Sequence, residues 1–243
     1  MPDRAVVGTA IAAIGDGDRI VLAADGLKLE LPRRRKFRGC KIHQTAEVLY
    51  AAAGLTSVDG LGFRATDLVE RTLVGASFRE QVASFERDAR VPARRLWEYV
   101  RDHPAIHESL RPGDPILSLV FAGLDEGQPL GFGKEYGWDE NRKFEECPLR
   151  RVPKRGWVFF GEHKAMDAAG QRALETGQAG ERDAVIWARE LIEIAINDCP
   201  KKVGAPVCVA ALSCNGVVRE CRCSSWQRAL AWLCTTKRNF VGD

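Results

Sequence analysis

The sequence predicts an α+β protein in which antiparallel sheets carry helices on their outer sides. Three observations lead there. β-prone runs come in pairs joined by tight-turn residues, helical periodicity comes in two separate blocks, and strands never alternate singly with helices as a doubly wound parallel sheet requires. No linker, repeat or low-complexity segment interrupts the 243 residues, so the chain is expected to form one domain.

Taken in order, residues 5–14 (AVVGTAIAAI) are small and apolar, Gly15-Asp16-Gly17-Asp18 supply turn chemistry, and residues 20–24 form a second β-prone run. Asp-Gly between two such runs is a hairpin signal, because a tight turn needs residues that tolerate positive φ. The basic stretch 32–38 (PRRRKFR) is expected to be a loop, and residues 41–43 and 47–53 two further strands. Val58, Leu61, Ala65, Leu68, Val69 and Thr72 recur at helical spacing, as do Phe78, Val82, Phe85 and Ala89. Pro92 breaks or restarts that second helix before residues 96–100. Strands are expected at 116–122 and 130–132, joined through Asp125-Glu126-Gly127, and at 157–160. Helices follow at 164–177 and 182–198, the latter with Val185, Ala188, Ile192, Ala195 and Cys199 on one stripe. Residues 207–212 and 217–221 form a last hairpin around Asn215-Gly216, and a terminal helix carries Trp226, Leu230 and Leu233.

Composition narrows the function. With 45% apolar and 28% charged residues the chain is neither disordered nor collagen-like. Lys and Arg number 36 against 33 Asp and Glu, a net +3 that does not by itself imply nucleic acid. No apolar run approaches the roughly 18 residues that span a bilayer. Residues 5–14 after Arg4 have the apolarity of a signal peptide, but Asp3 spoils its positive flank. Eight cysteines scattered over a long chain are expected to be free thiols in a reducing cytoplasm. Gly131-Phe132-Gly133-Lys134 lacks the spacing of a phosphate loop, and neither GxSxG nor HExxH occurs. His103 and His107 flank Pro104 without a third ligand, and Cys221 and Cys223 lack two more, so neither a metal nor a cofactor is expected.

The informative constellation lies in the first sixty residues. Asp25 ends VLAAD; Thr9, after Gly8, stands sixteen residues before it, and Lys41, before Ile42, sixteen after it. Gly54 closes AAAG and is expected to open a helix. With these elements in this order, the chain resembles the proteasome β-subunit family of N-terminal-nucleophile (Ntn) hydrolases, including the bacterial HslV and Anbu branches. The resemblance extends over most of the chain through the element order. It implies a four-layer αββα sandwich of two antiparallel sheets flanked by helices, with residues 1–8 as a leader and 9–243 as the mature domain.

The resemblance also implies a chemistry that the residue types can perform. A threonine hydroxyl needs a base to become nucleophilic. Cleavage between Gly8 and Thr9 would place an α-amine, with a pKa near ~8, beside that hydroxyl. Lys41 would favour the deprotonated state by its charge, Asp25 would hold Lys41, and the backbone N–H of Gly54 would donate to the oxyanion. Gly39, His43 and Ala52 are implied at the substrate pocket. Asp198 matches the aspartate of the family's auxiliary pair, while Lys201 and Glu162 stand where its two serines are expected. Glu162 and the segment 203–207 (VGAPV) look more like the Anbu branch. Taken singly, these residues have plainer roles as a strand threonine, a strand-end aspartate and a surface lysine.

A threonine peptidase or amidase is thus expected, with peptides or unfolded proteins as substrates. Its homo-oligomer, a ring or helical stack, would use some of its six tryptophans and ten phenylalanines as anchors. An assembly-forming homologue that cuts nothing and an Ntn amidase acting on a small-molecule amide are the alternatives. The run Arg33, Arg34, Arg35, Lys36 and Arg38 is either a solvated loop, a nucleic-acid patch lacking aromatic neighbours beyond Phe37, or a selector of acidic peptides.

Overall fold

A computed structural model of the chain describes residues 4–8, 10–45, 48–108, 110, 114–139, 141, 143–161, 163–178 and 182–221. Its N-terminal apolar run is not one strand. Strand β1 (Ala5–Gly8) belongs to one sheet and β2 (Ala10–Asp16) to another. The strands β3 (Arg19–Asp25), β4 (Leu27–Leu31), β5 (Arg35–Arg38), β6 (Ile42–Thr45), β7 (Val48–Val58) and β8 (Phe63–Arg64) follow. Then come α1 (Ala65–Thr72), α2 (Phe78–Asp88), α3 (Arg90–Asp102) and the short α4 (Pro104–His107). Next are β9 (Leu117–Asp125), β10 (Gln128–Trp138), β11 (Phe144–Glu146), β12 (Arg150–Arg151) and β13 (Arg155–Gly161). After α5 (Lys164–Glu175) and α6 (Ala184–Asp198), the hairpin β14 (Val207–Ser213) and β15 (Gly216–Cys221) ends the described chain.

The first sheet runs β11-β10-β9-β7-β1-β4-β5, with β12 on β10 and both β6 and β8 on β7. The second runs β13-β2-β3-β14-β15. Among the described residues every pairing is antiparallel. Period-two alternation assigns the side chains to distinct cores. In β7, Leu49, Ala51 and Ala53 face Ile11, Ala13 and Leu22 of the second sheet, whereas Val48, Tyr50 and Ala52 join a cluster with α1–α4. In β2, Ala10, Ala12 and Ile14 turn the other way, toward Trp187, Leu191 and Ile192 of α6. Both sheets are thus covered on two sides, which is why their central strands are nearly uninterrupted apolar runs.

Local chemistry explains the ends. Glu126 (φ 50°) and Gly127 (φ 76°) make the β9–β10 turn with positive φ at both central positions, as a tight hairpin prefers. Asp183 caps α6, its carboxylate accepting from the N–H groups of Val185 and Ile186. Pro92 sits in the first turn of α3, where its missing N–H costs no helical hydrogen bond. Gly133 lies inside β10, where a Cβ would come within 1.9 Å of the Phe160 ring; this glycine serves sheet packing.

Several expectations are corrected. Residues 32–38 are only partly loop: 32–34 form a turn, and β5 (Arg35–Arg38) pairs with β4 at the sheet's edge. Gly54 opens no helix: β7 continues to Val58, and α1 starts only at Ala65, so Val58 and Leu61 precede the helix assigned to them. Of the four tryptophans among the described residues, Trp97, Trp138 and Trp187 are buried and Trp157 is half-buried, so these pack within the protein. The terminal helix, with Trp226, Leu230 and Leu233, and Cys223 lie outside the described residues. No helix among the described residues is long and apolar enough to cross a membrane.

Candidate functional site

Asp25 ends β3, opposite Val207 of β14, and Lys41 immediately precedes β6. The two meet with Lys41 Nζ 2.5 Å from Asp25 Oδ1, at 1% and 0% side-chain exposure. The carboxylate accepts three backbone N–H groups besides: Ala10 at 3.0 Å on Oδ1, and Leu27 at 3.1 Å and Gly204 at 3.2 Å on Oδ2. These contacts come from β2, β4 and the loop after α6, so a single side chain ties together both sheets and that loop. A lysine buried this deeply loses hydration, which pushes its pKa below the usual 10.5; Asp25 opposes the shift, and the neighbouring charge of Lys28 adds to it. The plain alternative of a surface lysine therefore does not hold.

Thr9 lies outside the described residues, but both of its neighbours touch this pair. Ala10 donates to Asp25 as above. A Cβ on Gly8 would lie 3.1 Å from Lys41 Cε and 3.3 Å from its Cδ. The chain passes from the first sheet to the second between Gly8 and Ala10, beside the buried ion pair. Before this junction, β1 is hydrogen-bonded on both sides, to β4 and to β7, and Gly8 stands opposite Gly54. Gly54 must be glycine: its φ is 76°, and a Cβ would come within 2.5 Å of the Ile116 carbonyl oxygen.

Beside Lys41 opens a cavity of ≈ 300 Å³. His43 and Ala52 line it, as does Val6 of β1. His43 is half-buried and stacks on Tyr50 with centroids 5.3 Å apart. Gly39 is not in the wall; it lets Lys28 through, whose Cε lies 3.3 Å from where a Cβ would stand. Lys28 lines the cavity and is the residue that sequence reasoning passed over. Its signal is the charged position in LKLEL, one strand-step beyond VLAADG. On the other side of β1, Val7, Gly8 and Gly54 border a smaller space with Lys202, which pairs with Asp114 at 3.3 Å.

The auxiliary residues are more dispersed. Asp198 is exposed at the C-terminal end of α6 and Lys201 is exposed in the turn beyond it, while Glu162 lies outside the described residues. From this region, Gly204 is the residue that reaches Asp25. Among known proteins, the chain matches no family model and no curated protein. Chemically, the site offers a buried cation held by a fixed carboxylate, next to the end of strand β1.

Proposed function

We propose that the chain is an Ntn hydrolase of four-layer αββα architecture, resembling the proteasome β-subunit family, that cuts itself between Gly8 and Thr9 and then hydrolyses peptides. One observation carries this reading: both neighbours of residue 9 contact the buried Lys41–Asp25 pair at the point where the chain changes sheets. A purely structural ion pair is a costly way to hold a sheet together, since burying two charges seldom adds net stability. Beside a peptide bond, the same pair supplies a preorganised field.

In self-cleavage, the Thr9 hydroxyl oxygen bonds to the Gly8 carbonyl carbon. The Gly8–Thr9 C–N bond breaks, and the proton lost by the hydroxyl ends on the departing nitrogen, leaving an ester. Water hydrolyses the ester to the Gly8 carboxylate and the Thr9 hydroxyl. The freed α-amine, with a pKa near ~8, then serves as the general base for attack on substrate. It passes its proton to the leaving amine, and water releases the acyl group. Lys41 lowers the energy of the alkoxide by its charge, Asp25 and its three amides hold Lys41, and the backbone of Gly54, opposite Gly8, is assigned to the oxyanion.

The leader occupies a strand position between β4 and β7, so a substrate entering after its loss would pair with the same two edges. Assembly into a homo-oligomer belongs to the same reading. A small electrophile that acylates N-terminal threonine tests the proposal: after digestion its mass should appear on a peptide beginning at Thr9, with peptide hydrolysis lost in parallel. Hydrolysis that persists in Thr9→Ala would overturn it.

A further inference from the structure

We propose that the site selects an apolar side chain on the second residue before the scissile bond, and that Leu29, Leu55 and Leu110 form the subsite that reads it. This rests on the reading above, in which β1 lies along the path of a substrate strand. In the uncut chain Gly8 is then the first residue before the bond and Val7 the second.

Strand geometry sends the side chains of β1 two ways. Val6 stands between Glu30 and Ser57 and lines the ≈ 300 Å³ cavity, as Thr56 and Ser57 do. Val7 stands between Leu29 of β4 and Leu55 of β7, in the apolar cluster shared with α1–α4. An irregular step in the β1–β7 pairing keeps that face in phase. Ser57 is opposite Val6, and Leu55 rather than Thr56 is opposite Val7. Directly opposed residues of an antiparallel pair have Cβ atoms about 4.5–5.5 Å apart, so Val7 is held between two leucines. It is 9% exposed and Leu55 is 0% exposed.

Volume and chemistry define what this subsite accepts. Val7 borders a space of ≈ 60 Å³ with Leu29, Leu31, Leu110 and Pro115. One water takes up about 30 Å³ of liquid, so the space admits the extra methylene of leucine or isoleucine. Valine leaves it unfilled. The leader therefore shows the class of side chain without being its best fit. Lys202 and Asp114 also border the space, and they pair with each other at 3.3 Å. Threonine has the shape of valine but would bring its hydroxyl against the leucines, where it loses hydration. One residue earlier, in the place of Val6, the same hydroxyl would meet the larger cavity beside Thr56 and Ser57.

Two arms test the proposal. In the first, Val7→Thr, Val7→Leu and Val6→Thr are each made in a full-length Thr9→Ala chain and compared by thermal unfolding. Val7→Thr should melt lowest, Val6→Thr close to the parent, and Val7→Leu no lower than the parent. Val6→Thr melting as low as Val7→Thr would overturn the inference whether or not the protein is an enzyme. In the second arm, the processed chain is given matched peptides with Leu, Val or Thr at the second residue before the cleaved amide. A parallel set carries the same changes at the third residue. At the second residue Val should exceed Thr in kcat/KM by about tenfold, the scale of a hydroxyl buried without a partner. Leu should equal or exceed Val there, and at the third residue the Val/Thr ratio should stay near one. Leu29→Thr should pull the second-residue ratio toward one without changing the third. Cleavage with equal rates for Val and Thr at the second residue, or a ratio indifferent to Leu29, would refute the inference while leaving the hydrolase intact. A chain that cleaves no peptide would overturn the hydrolase and the selection together.

Discussion

Asp25 and Lys41 are unequal partners. Asp25 keeps three backbone N–H donors if Lys41 is lost, whereas among the described residues Asp25 is the acceptor recorded for Lys41. Asp25→Asn should therefore destabilise the fold by about 3–5 kcal/mol, the cost of leaving a buried charge uncompensated. Lys41→Met should cost less, about 1–3 kcal/mol. Urea unfolding of the two variants checks the order, and equal losses would contradict it; both should lack hydrolysis. The pH dependence follows from the same environment. Activity requires a neutral α-amine and a charged Lys41, so it should rise through the amine's pKa near ~8 and fall again as Lys41 deprotonates. Because burial lowers the Lys41 pKa, that alkaline limb should lie below pH 10.5, and a rate profile flat through that pH would contradict the assignment. The spacing of Thr9, Asp25 and Lys41 made the central pair legible in the sequence. Lys28 was not legible, because a lysine in a strand looks the same whether it points to solvent or into a cavity; only the path along Gly39 decides it.

At the level of elements, the break between β1 and β2 escaped the sequence for a physical reason. Residues on both sides of it are apolar and alternate in the same way, and hydrophobic pattern records burial but not which sheet does the burying. Gly54 was found as a residue but misassigned to a helix start, since glycine after an apolar run fits a strand-to-helix junction as well as a tight point within a strand. Its positive φ and the approach of Ile116 make a direct prediction. Gly54→Ala should destabilise the fold by about 1–3 kcal/mol and block processing, as seen by unfolding and by intact mass. An alanine chain of unchanged stability would mean that β7 relaxes easily there. Five neighbouring cations look the same in sequence whether they form a loop or a charged edge strand; β5 is the latter, a device that also discourages edge-to-edge pairing.

For the whole molecule, paired strands and paired helices are enough to predict antiparallel sheets with helices outside, and the structure holds two such sheets. Period-two alternation in β2, β3 and β7 explains why: each strand is buried on both faces, so its apolarity is continuous and hard to mistake. Among the described residues, an assembly would use surface other than the four tryptophans placed there. Exposed Val91, Leu174 and Ile186 lie on helices covering the two sheets, and light scattering should give a multiple of the processed chain's mass. A strict monomer at micromolar concentration would contradict that expectation. The central claim is that this chain is its own first substrate, with Thr9 as the nucleophile. Intact mass of the purified wild-type chain and of Thr9→Ala tests it most directly. The account predicts a wild-type chain that has lost residues 1–8 and begins at Thr9, beside a Thr9→Ala chain that retains them. A wild-type chain that keeps its leader while hydrolysing peptides would contradict it.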